Sequence, residues 1–165
     1  MIKWIMNLTY DIQHFDKEWD KLAFAFQEQL LNLDQDHFER PWPRDSWEQL
    51  LSGSGREFQV STLLVDQKIM GFVLFLVEKF EKRAHLVKIL CHPKIRGLGL
   101  GYKLLSISQK RLVDLYAVSV FDLEVETNNN AALGLYRKLG YKKIRQLKDL
   151  YGASMHGVAM QVKIR

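Results

Sequence analysis

The stretch that most constrains this chain is Leu86–Tyr102, LVKILCHPKIRGLGLGY, an apolar run that stops at a proline and reopens through glycines into a helical pattern. Leu86, Val87, Ile89, Leu90 and Cys91 read as an interior strand. His92-Pro93 ends it, because proline brings neither the N–H nor the free φ that a central strand needs. Gly97, Gly99 and Gly101 follow at alternate positions, directly ahead of Tyr102, Leu104, Leu105 and Ile107 at helical spacing. Without Cβ atoms the backbone there can approach an anion closely. The first turn of the helix adds unpaired N–H groups and the positive end of its dipole, so phosphate oxygens suit this turn. Arg96, Gly97, Leu98, Gly99 and Gly101, with Tyr102 at the helix start, are the candidates for holding a pyrophosphate. The lysine of a Walker loop and the acidic residue of a dinucleotide fold are both absent. A glycine-rich turn that binds nothing is the plain alternative.

Upstream, Phe58–Val65, Ile69–Val77 and Arg83–Cys91 read as three successive strands, joined by turns near Asp66-Gln67 and Lys79–Lys82. An antiparallel meander is the economical arrangement. Ile2–Leu8 reads as a first strand, with Asp11–Asp16 as its exit and Asp16 able to cap a helix. From Lys17 to Leu33 the residues Trp19, Leu22, Ala23, Phe26, Leu30 and Leu33 recur at helical spacing. Pro41 and Pro43 interrupt, and a short helix over Trp47–Leu51 ends at Ser52-Gly53-Ser54-Gly55. Downstream come a helix over Gly99–Tyr116, a strand over Val118–Thr127, and a helix over Asn130–Leu139 closed by Gly140. Tyr141–Leu147 and Met155–Lys163 complete a hairpin around Tyr151-Gly152.

With 165 residues, 47% hydrophobic and 26% charged, the chain suits one domain over 1–165 with a substantial core. The run Ile69–Val77 is too short to span a bilayer and the N-terminus lacks a signal-peptide core, so a cytoplasmic location without membrane attachment is expected. One cysteine, Cys91, excludes an internal disulfide and a cysteine zinc cage. His14, His37, His85 and His156 lack metal-ligand spacing, and no metal is expected. The net charge of +5 suggests an anionic partner. Lys88, Lys94, Arg96 and Lys103 surround the glycine loop, and Arg137, Lys138, Lys142, Lys143, Arg145 and Lys148 follow later. No nucleic-acid motif or interleaved aromatic platform is present, so no specific nucleic acid is expected.

HPKIRGLGLGYKLL resembles the acetyl-coenzyme A motif of the GNAT superfamily of N-acetyltransferases, Arg/Gln-x-x-Gly-x-Gly/Ala, filled here by Arg96, Gly99 and Gly101. A second block, LEVETNNNAALGLYRKLGY, is similar to that superfamily's other signature at Glu124, Val125, Asn129, Ala132, Leu135, Tyr136, Gly140 and Tyr141. Within the superfamily the second block is most similar to the ribosomal-protein alanine N-acetyltransferases and their relatives. The resemblance implies a mixed α/β (α+β) GNAT fold, with a mostly antiparallel sheet of about seven strands flanked by about four helices. It also implies acetyl-coenzyme A as donor, whose three phosphates would explain the field of both groups of cations, and strands after Leu86 and Val118 that splay apart to admit it.

Acetyl transfer from a thioester to an amine needs a held thioester, a neutral amine, stabilisation of the carbonyl oxygen and a proton for the departing sulfur. Backbone groups at Ile89, Leu90 and Cys91 are placed to pair with the pantetheine arm, and one N–H there to polarise the carbonyl. Asp122, Glu124 and Glu126 alternate with Phe121, Leu123 and Val125 and so share one strand face, which by pattern alone reads as a solvent face. By resemblance, Glu124 is the general base, Tyr136 the acid for the thiolate and a cofactor contact, and Asn129 a contact to the pantetheine arm. Asn129 also suits a helix cap. Glu126 and Tyr151 are the candidates for contacting the acceptor, although Tyr151 stands alone where such enzymes usually carry two tyrosines. A covalent acetyl-enzyme at Cys91 is rejected, because His92, its strand neighbour, points to the opposite face. The acceptor expected is a protein or peptide N-terminus, acted on by a monomer or homodimer. Alternatives are a small amine or polyamine, for which the acidic trio is suited, and a coenzyme A sensor without activity.

Overall fold

The computed structural model describes residues 9–16, 23–52 and 57–164. Seven strands form one sheet: β1 Tyr10–Asp16, β2 Glu57–Val65, β3 Lys68–Glu78, β4 Arg83–Cys91, β5 Val120–Glu126, β6 Lys142–Leu147 and β7 Gly157–Lys163. Their order across the sheet is β1-β2-β3-β4-β5-β7-β6, with β4 and β5 parallel and the other neighbours antiparallel. Among the described residues four α-helices cover it: α1 Phe24–His37, α2 Arg44–Ser52, α3 Leu100–Tyr116 and α4 Asn130–Lys138. The expected mixed sheet, its meander β2-β3-β4 and its closing hairpin are all present.

The two faces carry separate cores. Leu100, Leu104, Leu105 and Leu112 of α3, with Leu133 and Tyr136 of α4, pack against Leu86, Phe121, Leu123 and Val125. On the other face, Leu30, Leu31 and Leu33 of α1 and Trp47 and Leu51 of α2 pack on Phe58, Val60, Phe72, Leu74 and Leu90. Fully burying each such side chain contributes about 1.5–3 kcal/mol before the cost of ordering the chain.

A bulge in β4 switches its phase. Leu74 lies opposite Lys88 and Phe75 opposite Leu86, which leaves Val87 as an extra residue. Ala84 and Leu86 therefore face α3 and α4, whereas Lys88 and Leu90 face α1 and α2.

The N-terminal third differs from the sequence reading. Asp11–Asp16, expected as an exit loop, forms with Tyr10 the edge strand β1, with Asp16 opposite Gln59. Ile2–Leu8 lies outside the described residues, as do Lys17–Leu22 and Gly53–Arg56. Helix α1 continues past Leu33 to His37. Its apolar stripe ends early because the next inward position is Asp34, a carboxylate fully buried by an ion pair with Lys88 at 2.5 Å. Helix α2 opens at Arg44, where the Pro43 carbonyl accepts the N–H groups of Ser46 and Trp47. Strand β7 starts at Gly157 instead of Met155, because Met155 is held in a turn: its N–H donates to Gly152 and its carbonyl accepts from Tyr151.

Candidate functional site

The site follows from where β4 and β5 stop pairing. They meet only over Arg83–Leu86 and Val120–Leu123, and the ladder ends immediately before the bulged Val87. Beyond that point β3 still carries β4, with Gly71 opposite Cys91, and β7 carries β5, with Gly157 opposite Glu126. The inner edges of Val87–Cys91 and Glu124–Glu126 thus diverge around a gap. His92 N–H donates to Met70 of β3 at 2.8 Å, so strand alternation turns the backbone groups of Ile89 and Cys91 toward the gap. Leu90 is buried on the α1–α2 face and sits opposite Phe72. An extended, hydrogen-bonding arm fits this gap as a further strand would.

At the mouth of the gap, a 3-10 turn over Pro93–Ile95 leads into the glycines. Gly97 and Gly99 have φ of +78° and +75°, a region that L side chains rarely adopt. Gly101 lies where the start of α3 abuts the end of β4, and a Cβ there would meet Cys91 Sγ at 3.4 Å, an ordinary contact. The first N–H to find an acceptor belongs to Lys103, which donates to Gly99. Those before it, at Leu100, Gly101 and exposed Tyr102, form the free end of α3. Arg96 Nε–H donates to the Cys91 carbonyl at 2.9 Å, which holds this cation beside the same free N–H groups. Leu98 packs against the α3 core and anchors the loop. A pyrophosphate fits this cradle.

Across the gap, β5 presents its three carboxylates in unequal states. Asp122 accepts from Arg83 at 2.7 Å and from His85 at 2.5 Å. Burial pushes its carboxyl up, but His85 and Arg83 outweigh that and hold it below the usual carboxylate range. Glu126 is ion-paired with Arg40, whose guanidinium also lies 5.0 Å from the centre of the Tyr151 ring. Glu124 is exposed and, among the described residues, has no ion-pair partner. Burial raises the Tyr151 phenol, the fields of Glu124 and Glu126 raise it further, and Arg40 opposes them. Tyr151 therefore shares one electrostatic environment with both glutamates.

Tyr136 of α4 is 5% exposed. Burial, with the field of Tyr151 added, pushes its phenol well above the ordinary range. The neighbouring Tyr141 hydroxyl is satisfied by Gln109 at 2.7 Å. Asn129 caps α4 by accepting from Ala132 N–H at 3.1 Å, and its amide nitrogen remains for another contact. Burial pushes the Cys91 thiol up to about 11, partly opposed by Arg96, and His92 Nδ1 accepts from Lys94 N–H at 3.1 Å. A protonated thiol beside an engaged imidazole is not a nucleophile-base pair.

Sequence reasoning missed the partners of the acidic trio and the support beneath Arg40. Arg40 and Trp42 lie on the α1–α2 connection, and Trp42 N–H donates to Asp34 at 3.0 Å. The available signal was a pair of opposite charges, Asp34 and Lys88, each at an inward position of an apolar pattern.

The sequence pattern of the acetyltransferase (GNAT) family matches residues 27–141. An N-alpha-acetyltransferase of Sulfurisphaera tokodaii is 31% identical over 97 residues, covering 53% of this chain and 58% of that one. One of Sulfolobus acidocaldarius is 25% identical over 134 residues, covering 75% of this chain and 79% of that one. The chain thus spans little more than half the length of the first relative. The crystal structure of the ribosomal-protein-S18-alanine N-acetyltransferase from Escherichia coli superposes with a TM-score of 0.79 at 22% identity, covering 94% of each chain. That likeness is one of fold.

Proposed function

The chain belongs to the acetyltransferase (GNAT) family, and from that premise we propose that it moves an acetyl group from acetyl-CoA directly to the N-terminal α-amine of a protein or peptide. The observation that carries this reading is Glu124, a carboxylate without a cation partner standing where β5 has parted from β4. Arg96 and the N–H groups of the glycine turn would hold the pyrophosphate, and the free edge at Ile89 and Cys91 the pantetheine arm. Asn129 would contact the arm as well. Acetyl-CoA supplies an activated acetyl thioester. Glu124 accepts a proton as the amine nitrogen bonds to the carbonyl carbon. The C–S bond then breaks, and Tyr136 donates to the departing sulfur. Tyr151 and the Arg40–Glu126 pair line the acceptor side. Among the described residues no helix is long and apolar enough to cross a membrane.

A polyamine acceptor is less well supported. Two of the three carboxylates are already matched by Arg83, His85 and Arg40, which leaves one free anion for one ammonium. Release of free thiol from acetyl-CoA, measured with a panel of peptides and a panel of polyamines, tests the proposal. Turnover is expected with peptides whose α-amine is free and is abolished when that amine is blocked. Turnover with polyamines alone would overturn the choice of acceptor.

Tyr136→Phe is expected to lower kcat while leaving the KM for acetyl-CoA unchanged. A hydrogen bond to a charged group contributes about 1.5–3 kcal/mol, so the loss is about 10- to 100-fold. Acetyl thioesters of more acidic thiols need less help in departing, and with them the loss should shrink. An equal loss with every leaving group would remove Tyr136 from this role.

A further inference from the structure

The structure carries a second charged surface, away from the gap. Between Thr127 and Lys148 the sequence contains no Asp or Glu, yet it holds Arg137, Lys138, Lys142, Lys143, Arg145 and Lys148. All six are exposed. Among the described residues none of them has an ion-pair partner, and the polar contact made within the group is that of Lys143 with Gln146. Elsewhere Arg40, Arg44, Lys79, Arg83, Lys88 and Lys110 are all matched by carboxylates. Six exposed cations left together, with no carboxylate between them in the sequence, maintain a field for an anionic partner.

Topology fixes the shape of that field. Among the described residues strand β6 is the last of the sheet and its outer backbone edge has no strand partner. Lys143 and Gln146, opposite Met160 and Val158, lie on the face shared with α4, and Lys142 and Arg145, opposite Gln161 and Ala159, on the other. The cations therefore straddle an open strand edge. Beside them, a groove of about 430 Å³ between α4 and the β6–β7 hairpin is lined by Leu133, Met160, Arg137, Lys142 and Lys143. From Lys142 to Lys148 the row extends about 20 Å at strand rise.

We propose that this edge docks the phosphodiester backbone of a nucleic acid. A row of cations on both sides of a strand wraps a narrow, repeating anion. A bilayer surface would instead call for cations in one plane beside an apolar wedge, whereas β6 exposes a single large apolar residue, Ile144. Tyr141 beneath the row is 2% exposed and offers no platform for a base. The backbone is bound and the sequence is not read. This inference does not depend on the acetyl-transfer reading. It concerns charges outside the gap.

The test is fluorescence polarisation of a labelled single-stranded RNA, and of DNA of the same sequence, titrated with the full chain at several salt concentrations. Binding is expected at about 10 µM at physiological salt, with log K falling by about 3–4 per decade of salt. Lys142→Gln/Lys143→Gln/Arg145→Gln should reduce that slope by about 2 and weaken binding at least tenfold at about 50 mM salt. Lys68→Gln, a cation removed from the far side of the sheet, should weaken it less than about twofold. Similar affinity for RNA and DNA, or a preference for either, supports the shared backbone chemistry and identifies its source. Absence of binding at low salt, equal losses in the triple and single variants, or binding to anionic vesicles in place of nucleic acid would each overturn the proposal.

Discussion

Glu124→Gln is expected to lower kcat/KM for the acceptor by about a hundredfold at about pH 7, with the affinity for acetyl-CoA unchanged. Glutamine keeps the size and the hydrogen-bonding reach of the side chain and removes its capacity to take a proton. An α-amine with a pKa near 8 is about nine-tenths protonated at about pH 7, so the proton must leave before or during attack. At about pH 9 most of the amine is already neutral, and the deficit of the variant should shrink by about tenfold. The sign is definite: the variant's rate climbs more steeply with pH than the wild type's. Profiles of kcat/KM against pH for both proteins check this. A deficit that stays constant with pH would make Glu124 a structural or binding residue.

The same experiment separates the three carboxylates of β5. Asp122 is held by Arg83 and His85, so Asp122→Asn should act on stability and leave the shape of the pH profile intact. Its carboxyl sits below the usual range, so the stability it contributes is present above the unfolded carboxylate pKa and is lost as pH falls through the lower folded value.

How much of this site the sequence discloses depends on the range of the interactions involved. The glycine turn was legible because its requirements are local: positive φ at Gly97 and Gly99, and a strand end followed by a helix start. The alternation of Asp122, Glu124 and Glu126 was equally legible as one face of a strand. Their inequality was not, since it comes from Arg40, Arg83 and His85, which lie on other elements. The parting of β4 from β5 was known from resemblance alone. Its physical cause, the extra residue at Val87, lies in the register between strands, and a single strand's pattern carries no register. At the N-terminal side, apolar periodicity ended α1 at Leu33 because Asp34 breaks the stripe, although Lys88, distant in sequence, makes that break stable.

Asp34→Ala is expected to cost about 3–5 kcal/mol, the loss typical of breaking a buried ion pair from one side. Asp34 is the acceptor for Lys88 Nζ, for Trp42 N–H at 3.0 Å and for Trp47 Nε1–H at 2.9 Å. Removing it takes the acceptor from three donors, one of them an ammonium enclosed by Phe38, Trp42 and Trp47 with its nitrogen 4.2–5.5 Å from their ring centres. Burial already lowers the pKa of Lys88 against the pull of Asp34, and without the aspartate that pull is lost. The folded variant should then shed the lysine proton more readily than its unfolded chain, so its stability should rise with pH. Asp34→Ala/Lys88→Met removes the stranded charge and should recover much of the loss, which urea denaturation of the single and double variants will show. If the two variants are equally unstable, the penalty comes from lost packing and not from the unpaired ammonium. Because Trp42 and Arg40 share the α1–α2 connection, the single variant should also loosen the Arg40–Glu126 contact. Its acceptor KM should rise while acetyl-CoA binding at the glycine turn, built on α3 and β4, stays unchanged.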